Sequence, residues 1–298
     1  MADSSGQQDI RGIDIDKLAK GFADEANIFK KFLTISKTKA REIRWYSKTS
    51  GFLAGVTTTG VTGDTTENTS FRSLPSVVEQ SWTRNTSYIK KYFVESPLIS
   101  MEDIKDTDID ILATNVRDLV RAVARRVDLR IYRVLSDYST EPGDGGNVNT
   151  SVAVADGWND VATGNPITDI LEGKRKIRVA GYDPEGCVMI MNPIEHEYLL
   201  EFLISVKGSS IPQFSSEKVR SGVVMGVLGC NVVVSENAQT DFVVMAVPNR
   251  ACTWKSFSPI TSVVIDDPGI GKKIRVWEEG EAILTDPLAV HVITDTTV

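Results

Sequence analysis

Pro268–Lys273 (PGIGKK) is the stretch nearest to a phosphate-binding loop. Such a loop needs Gly, four residues, Gly, Lys and then Ser or Thr, so that backbone amides and a lysine surround the phosphate. Here the first glycine position holds Asp266, an anion that repels phosphate, and Lys273 stands where the hydroxyl belongs. A turn between two strands is the expectation. Gly222, Gly226 and Gly229 miss the dinucleotide spacing and lie in an apolar, strand-like run, where turns or close backbone packing explain them. Glu195-His196-Glu197 lacks the second histidine of a zinc-protease helix. His196 is expected at the surface, and His291, alone in the last strand, packed or at an edge. No Gly-x-Ser-x-Gly elbow occurs, and no Cys or His lies at metal-ligand spacing. The acid pairs Asp266-Asp267 and Glu278-Glu279 fall at strand ends and are expected to face water. No catalytic, cofactor-binding or metal residue is therefore expected, and no cofactor.

The residues left with a possible role are basic. Arg117, Arg121 and Arg125 recur every four positions, with Arg126, Arg130 and Arg133 beside them. Lys37, Lys39, Arg41 and Arg44 cluster in KTKAREIRW. One reading is a solvated face partly neutralised by Asp118 and Asp128. The other is contact with a polyanion or with a neighbour's acidic rim. No aromatics are interleaved with the arginines, so base stacking is not implied. Any nucleic-acid contact would be electrostatic and indifferent to sequence.

These residues need elements to hold them. The 298 residues suffice for one large domain or two ordinary ones, and the 41% hydrophobic content argues against wholesale disorder. The apolar runs are too short to span a membrane, and the polar, acidic start lacks a secretory signal. Cys187, Cys230 and Cys252 show no paired spacing and are expected as reduced, mostly buried thiols of a cytoplasmic setting. The net charge of −7 is uneven. Residues 1–48 hold ten Lys/Arg against seven Asp/Glu, residues 49–138 eleven against twelve, and residues 139–298 twelve against twenty-one.

Apolar positions from Ile15 to Phe29 predict an amphipathic helix over Asp14–Lys31. Residues 49–89 contain ten Thr in 41 residues and read as a long hairpin. Its arms are the residues before Val61 and Arg72–Thr83, with the tip near Gly60–Asn68. It has too few apolar residues for a core of its own. Tyr88–Leu98 alternates as a strand, and Ser100–Asp103 fits a capping box. The strongest helix is expected at Asp108–Asp137, with the stripe Ile109, Leu112, Val116, Leu119, Val120, Val123, Val127, Ile131, Val134 and Leu135. Ser139–Thr150 and Val206–Ser216 are expected as loops. Further elements are a helix near Pro166–Val179, a buried strand at Gly186–Met191 and a helix from Asn192-Pro193 to Phe202. Short strands follow at Gly222–Val234, Asp241–Val247, Ser262–Ile265, Lys273–Glu279, Glu281–Leu284 and His291–Thr294.

Three stretches carry a resemblance. They are Tyr92–Asp137, then Asp169–Phe202 with Gly181-Tyr182-Asp183-Pro184 and Met191-Asn192-Pro193, and Val227–Asn237 with the ending Asp286-Pro287. In this order and spacing the chain resembles the major capsid proteins of tailed double-stranded DNA phages, the Hong Kong 97 fold. The resemblance implies an α+β chain with an N-terminal arm at 1–46 and an E-loop hairpin at 47–86. A peripheral domain with a long spine helix would combine 87–138 with 256–288, and an axial domain 139–255 with 289–298. It implies a structural, non-enzymatic protein that assembles with itself as hexamers and pentamers. The product would be an icosahedral head around double-stranded DNA, built in the host cytoplasm and ending in the virion. A portal, a separate scaffold protein (or prior cleavage) and decoration proteins are the implied partners, with no membrane. Some relatives weld subunits by an isopeptide bond from an E-loop lysine. No Lys occurs between Lys48 and Lys90, so no such cross-link is expected. The rival readings are an encapsulin-type compartment shell and an α/β enzyme with an unfamiliar site.

Overall fold

The structure is a computed structural model that describes residues 28–50, 81–106, 111–136, 151–160, 162–206 and 226–297. The expected E-loop tip, most of the helix at Asp14–Lys31, the loop at Ser139–Thr150 and all but Val206 of the loop at Val206–Ser216 lie outside these residues. So does the Asp103 side chain of the expected capping box. The chain forms two compact units. Unit 1 comprises the described residues among 1–43, 87–131 and 254–283, and unit 2 those among 44–86, 132–253 and 284–298.

Unit 1 is a sheet backed by a helix. A 3-10 turn at Phe29–Phe32 leads into β1 (Thr34–Lys37). Next come β4 (Lys90–Glu95), β5 (Ile99–Ser100), α1 (Met101–Asp106) and α2 (Ile111–Ser136), which continues beyond this unit. Two long strands follow, β11 (Cys252–Asp267) and β12 (Gly271–Leu284). The sheet order is β1-β11-β12-β4, with β5 also on β12. β12 runs antiparallel to β4, with Trp277 opposite Phe93. Val116, Val120 and Val123 of α2 pack with Ile99, Ile260, Ile274 and Val276. Valine costs a helix a few tenths of a kcal/mol in propensity, whereas burying its side chain gains about 1.5 kcal/mol or more. Burial wins, so a valine-rich run is helical here.

PGIGKK is the turn between β11 and β12. Ile270 N–H donates to Asp267 O at 3.1 Å and Gly269 has φ +78°, the signature of a type II turn with Pro268 and Gly269 at its centre. The short strands expected at Ser262–Ile265, Lys273–Glu279 and Glu281–Leu284 are instead parts of β11 and β12. Gly280 does not break β12, because its missing side chain is filled by the Trp254 indole, which a Cβ there would strike.

Unit 2 has β6 (Ser151–Ala153), α3 (Pro166–Val179), β7 (Val188–Met191) and α4 (Pro193–Glu201), which continues as a π turn through Val206. Then come β8 (Gly226–Val227), β9 (Cys230–Val234), β10 (Phe242–Ala246) and, after a 3-10 turn at Pro287–Ala289, β13 (Val290–Thr294). The sheet order is β6-β13-β10-β7-β9-β8. β10 is antiparallel to both neighbours, and the pairs β7–β9 and β13–β6 are parallel. Ile170, Ile177, Met189, Met191, Leu199 and Met245 fill its core. Gly173 lets α3 approach closely, since a Cβ there would meet Met245 Sδ at 2.6 Å and the His291 ring at 2.8 Å. The third sheet pairs β2 (Glu42–Ser50) with β3 (Ser81–Tyr88), the inner ends of the expected hairpin arms.

Candidate functional site

The arginines divide by helix face. Arg117, Arg121, Arg125 and Arg126 are exposed on α2, while Val116, Val120, Val123, Ala124 and Val127 are buried. Arg117 has Asp118 at 3.9 Å, a pair too exposed to cancel its charge. Asp128 does not neutralise the ridge as one reading expected. It is 1% exposed, and its Oδ2 accepts the Ile28 N–H at 3.0 Å. Burial pushes its carboxyl up to about 6, against the Ile28 and Phe29 amides and the nearby Lys30 charge.

Arg130 is also inside. Its Nε and Nη2 reach Glu281 Oε1 at 2.7 and 2.5 Å, and both side chains are buried. Its charge is used within the subunit. Lys30 pairs with Glu278 at 2.5 Å and lies 5.0 Å over the Trp254 ring. Glu278 is therefore buried rather than facing water. Ile274, Val276 and Glu278 share one face of β12 by the two-residue strand period, so alternation carried the signal that position in an acid pair concealed. Glu279, on the other face, lies 3.6 Å from Lys91, and Asp266 and Asp267 are exposed as expected.

Lys37, Lys39, Arg41 and Arg44 are exposed around the β1–β2 connection. The Thr38 amide donates to Ser256 O at 2.9 Å, Ile89 N–H donates to Arg41 O at 2.9 Å, and the Arg41 guanidinium lies 5.3 Å over Phe257. Lys255 Nζ adds a bond to Ser36 Oγ at 3.1 Å. This segment is thus held to the sheet at several points. Its cations and those of α2 are on different elements.

In unit 2, two stretches that carry the resemblance meet. The Tyr182 hydroxyl donates to Asp286, whose other oxygen caps the 3-10 turn through Leu288 N–H at 3.2 Å. Burial and the Asp286 carboxylate push the Tyr182 hydroxyl up to about 12, and the Arg250 guanidinium lies 5.5 Å over its ring. Asn192 caps α4 by accepting from Ile194 N–H at 3.2 Å and donates to Ala238 O at 2.8 Å. Glu195 is fully buried and accepts from Asp241 N–H at 2.6 Å. His196 is half-buried rather than at the surface, and burial pulls its pKa down. His291 is packed inside β13 opposite Met245.

The three cysteines are free thiols and all buried. Cys187 and Cys230, distant in sequence, lie side by side with Sγ atoms 2.6 Å apart. Sequence spacing held no signal of that pairing, because strand register creates it. Among the described residues no group of His, Cys, Asp and Glu could hold a metal, and no helix is long and apolar enough to cross a membrane.

No protein-family model matches the sequence, and no curated protein does. Solved structures do match. A virus-like particle from Pyrococcus furiosus is 10% identical with TM-score 0.63, covering 95% of this chain and 98% of that one. The capsid of cyanophage P-SCSP1u is 12% identical with TM-score 0.65, covering 90% and 88%. The mature capsid of bacteriophage PhiM1 is 14% identical with TM-score 0.60, covering 91% and 88%. Capsid chains thus share the fold of this chain at very low sequence identity. The chain has the fold of these shell subunits, the Hong Kong 97 type that its sequence resembles.

Proposed function

We propose that this protein is a major capsid subunit that assembles as hexamers and pentamers into an icosahedral head around double-stranded DNA. The observation that carries the reading is end-to-end likeness: capsid and virus-like-particle chains match over at least 90% of its length. A single module grafted into another protein would not extend so far. In this reading 1–46 is the arm and 47–86 the E-loop. Residues 87–138 with 256–288 form the peripheral domain, and 139–255 with 289–298 the axial domain. The role is structural rather than enzymatic. The shell assembles in the host cytoplasm with a separate scaffold protein and a portal, and becomes part of the virion. Exposed Arg117, Arg121, Arg125, Arg126, Lys37, Lys39, Arg41 and Arg44 serve the lumen or subunit contacts. Arg130 serves the interior of its own subunit.

Electron microscopy of the expressed chain, alone and with its neighbouring genes, tests this. Closed shells are expected. A monodisperse monomer of 32.7 kDa at high concentration would refute the reading. Because no Lys lies between Lys48 and Lys90, the shell is held by non-covalent contacts. Denaturing electrophoresis of mature particles should show one band, and a covalent ladder would contradict it. The Pyrococcus furiosus particle motivates a second reading, an encapsulin-type compartment. Packaged protein in place of DNA would favour that alternative.

A further inference from the structure

β7 and β9 are parallel, with Val188 opposite Asn231, so Cys187 and Cys230 face each other one position earlier. Their sulfurs lie 2.6 Å apart as free thiols, close to the roughly 2.05 Å that a disulfide needs. Both side chains are fully buried in the core of unit 2. Lys174 of α3 stands beside them. Its Nζ donates to Glu185 Oε1 at 2.8 Å and to Leu228 O at 2.6 Å, in the turn that delivers Cys230. The pair is electrostatically unequal. The Cys187 thiol and the Lys174 ammonium pull Cys230 down despite burial. Cys187 is pushed up by its hydrogen bond with Cys230 and by burial.

We propose that Cys187 and Cys230 are a covalent modification site, a dithiol that hydrogen peroxide converts into an intrasubunit disulfide joining β7 to β9. The Cys230 thiolate attacks one peroxide oxygen; the S–O bond forms, the O–O bond breaks, and hydroxide leaves as water after protonation. Cys187 sulfur then attacks the Cys230 sulfenic acid; the S–S bond forms, the S–O bond breaks, and a second water leaves with the Cys187 proton. Two thiols and one peroxide become one disulfide and two waters, the sulfurs losing the two electrons that the peroxide gains. A small oxidant suits sulfurs with no exposed surface. A glutathione-sized disulfide would require the strands to open. The chemistry depends on this pair and not on the capsid reading. A particle leaving a reducing cytoplasm for an oxidising exterior would gain a staple across the six-stranded sheet of unit 2 in each subunit.

The test uses the full chain, purified in reductant, desalted, and treated with hydrogen peroxide under native conditions. It is then denatured, alkylated without reduction and cleaved after Lys and Arg. The expected product joins residues 179–207 to residues 221–250, two hydrogens lighter than the separate peptides, while Cys252 is recovered alkylated. Thermal melting of the oxidised protein should shift upward and return with reductant. In Cys187→Ser, a dimedone-type probe should trap a sulfenic acid on Cys230. In Cys230→Ser it should not label Cys187. Lys174→Gln should slow disulfide formation several-fold. Recovery of Cys187 and Cys230 alkylated as fully as Cys252 after peroxide would overturn the proposal, as would over-oxidation without a cross-link. Both readings come from the unsubstituted chain, so a variant that fails to fold does not blur them.

Discussion

Asp128 ties stability to pH. Its carboxyl stands near 6 in the folded chain, against an unfolded value near 3.9. Lys30 and Glu278 are the charged groups that act on it, with opposite signs. The folded state holds the proton more tightly, so this group's stabilisation is complete below about pH 4 and lost as pH rises through about 6. Two pKa units correspond to about 3 kcal/mol. Asp128→Asn keeps an acceptor for the Ile28 amide without the charge. It should be up to about that much more stable than the parent at pH 7.5 and nearly equal at pH 4, by denaturant unfolding. A variant that loses equally at both values would refute this. Arg130 makes the opposite case, a charge that must stay paired. Arg130→Met should cost about 3–5 kcal/mol by taking a buried partner from Glu281, whereas Arg130→Met with Glu281→Leu should be close to neutral. Equal losses in the single and double variants would show that the pair is not the reason for Arg130.

At the scale of elements, Leu228 has φ +52° and Gly229 φ +78° between β8 and β9. Two positive φ values make a type I′ turn, which favours Asn-Gly and penalises leucine. Leucine pays roughly 1 kcal/mol or more for a left-handed backbone. Leu228→Asn should therefore raise stability by about 1 kcal/mol, read as a shift in the denaturant midpoint. No gain would mean that Leu228, although 37% exposed, packs well enough to offset its backbone. Local rules made much of this layer legible. Asn192-Pro193 marked the start of α4, where Asn192 caps the helix, and the valine stripe marked α2 to within a few residues. Pro268 and Gly269 marked a turn where a phosphate loop had to be considered. What was not legible depends on partners far along the chain. Gly280 read as a break until Trp254 came to lie over it. Glu278 read as a solvated end until Lys30 met it from residues that precede it by most of the sequence. Cys187 and Cys230 had no spacing to betray them. The basic ridge was visible, but which arginine turned inward was not, because that depends on where Glu281 lies on β12.

For the whole molecule, charge distribution limits where DNA can lie if the proposed capsid role holds. Residues 139–298 carry twenty-one acids against twelve bases, and a polyanion avoids such surfaces. Arg121, Arg125 and Arg126 are exposed on one helix, whereas Lys174, Arg175 and Arg178 of α3 have Glu185, Glu172 and Asp183 beside them. Each phosphate neutralised contributes about −0.9 to the slope of log affinity against log salt. If α2 faces packaged DNA, changing Arg121, Arg125 and Arg126 to Gln should leave shells closed. It should reduce that slope by roughly 2–3 for duplex DNA bound to disassembled capsomers. The loss should not depend on DNA sequence, because no aromatic or base-reading group stands among the arginines. The same triple variant separates the other use of the ridge. Open or aberrant shells with an unchanged salt slope would assign these arginines to the contact between subunits, leaving Lys37, Lys39, Arg41 and Arg44 as the cations that meet DNA.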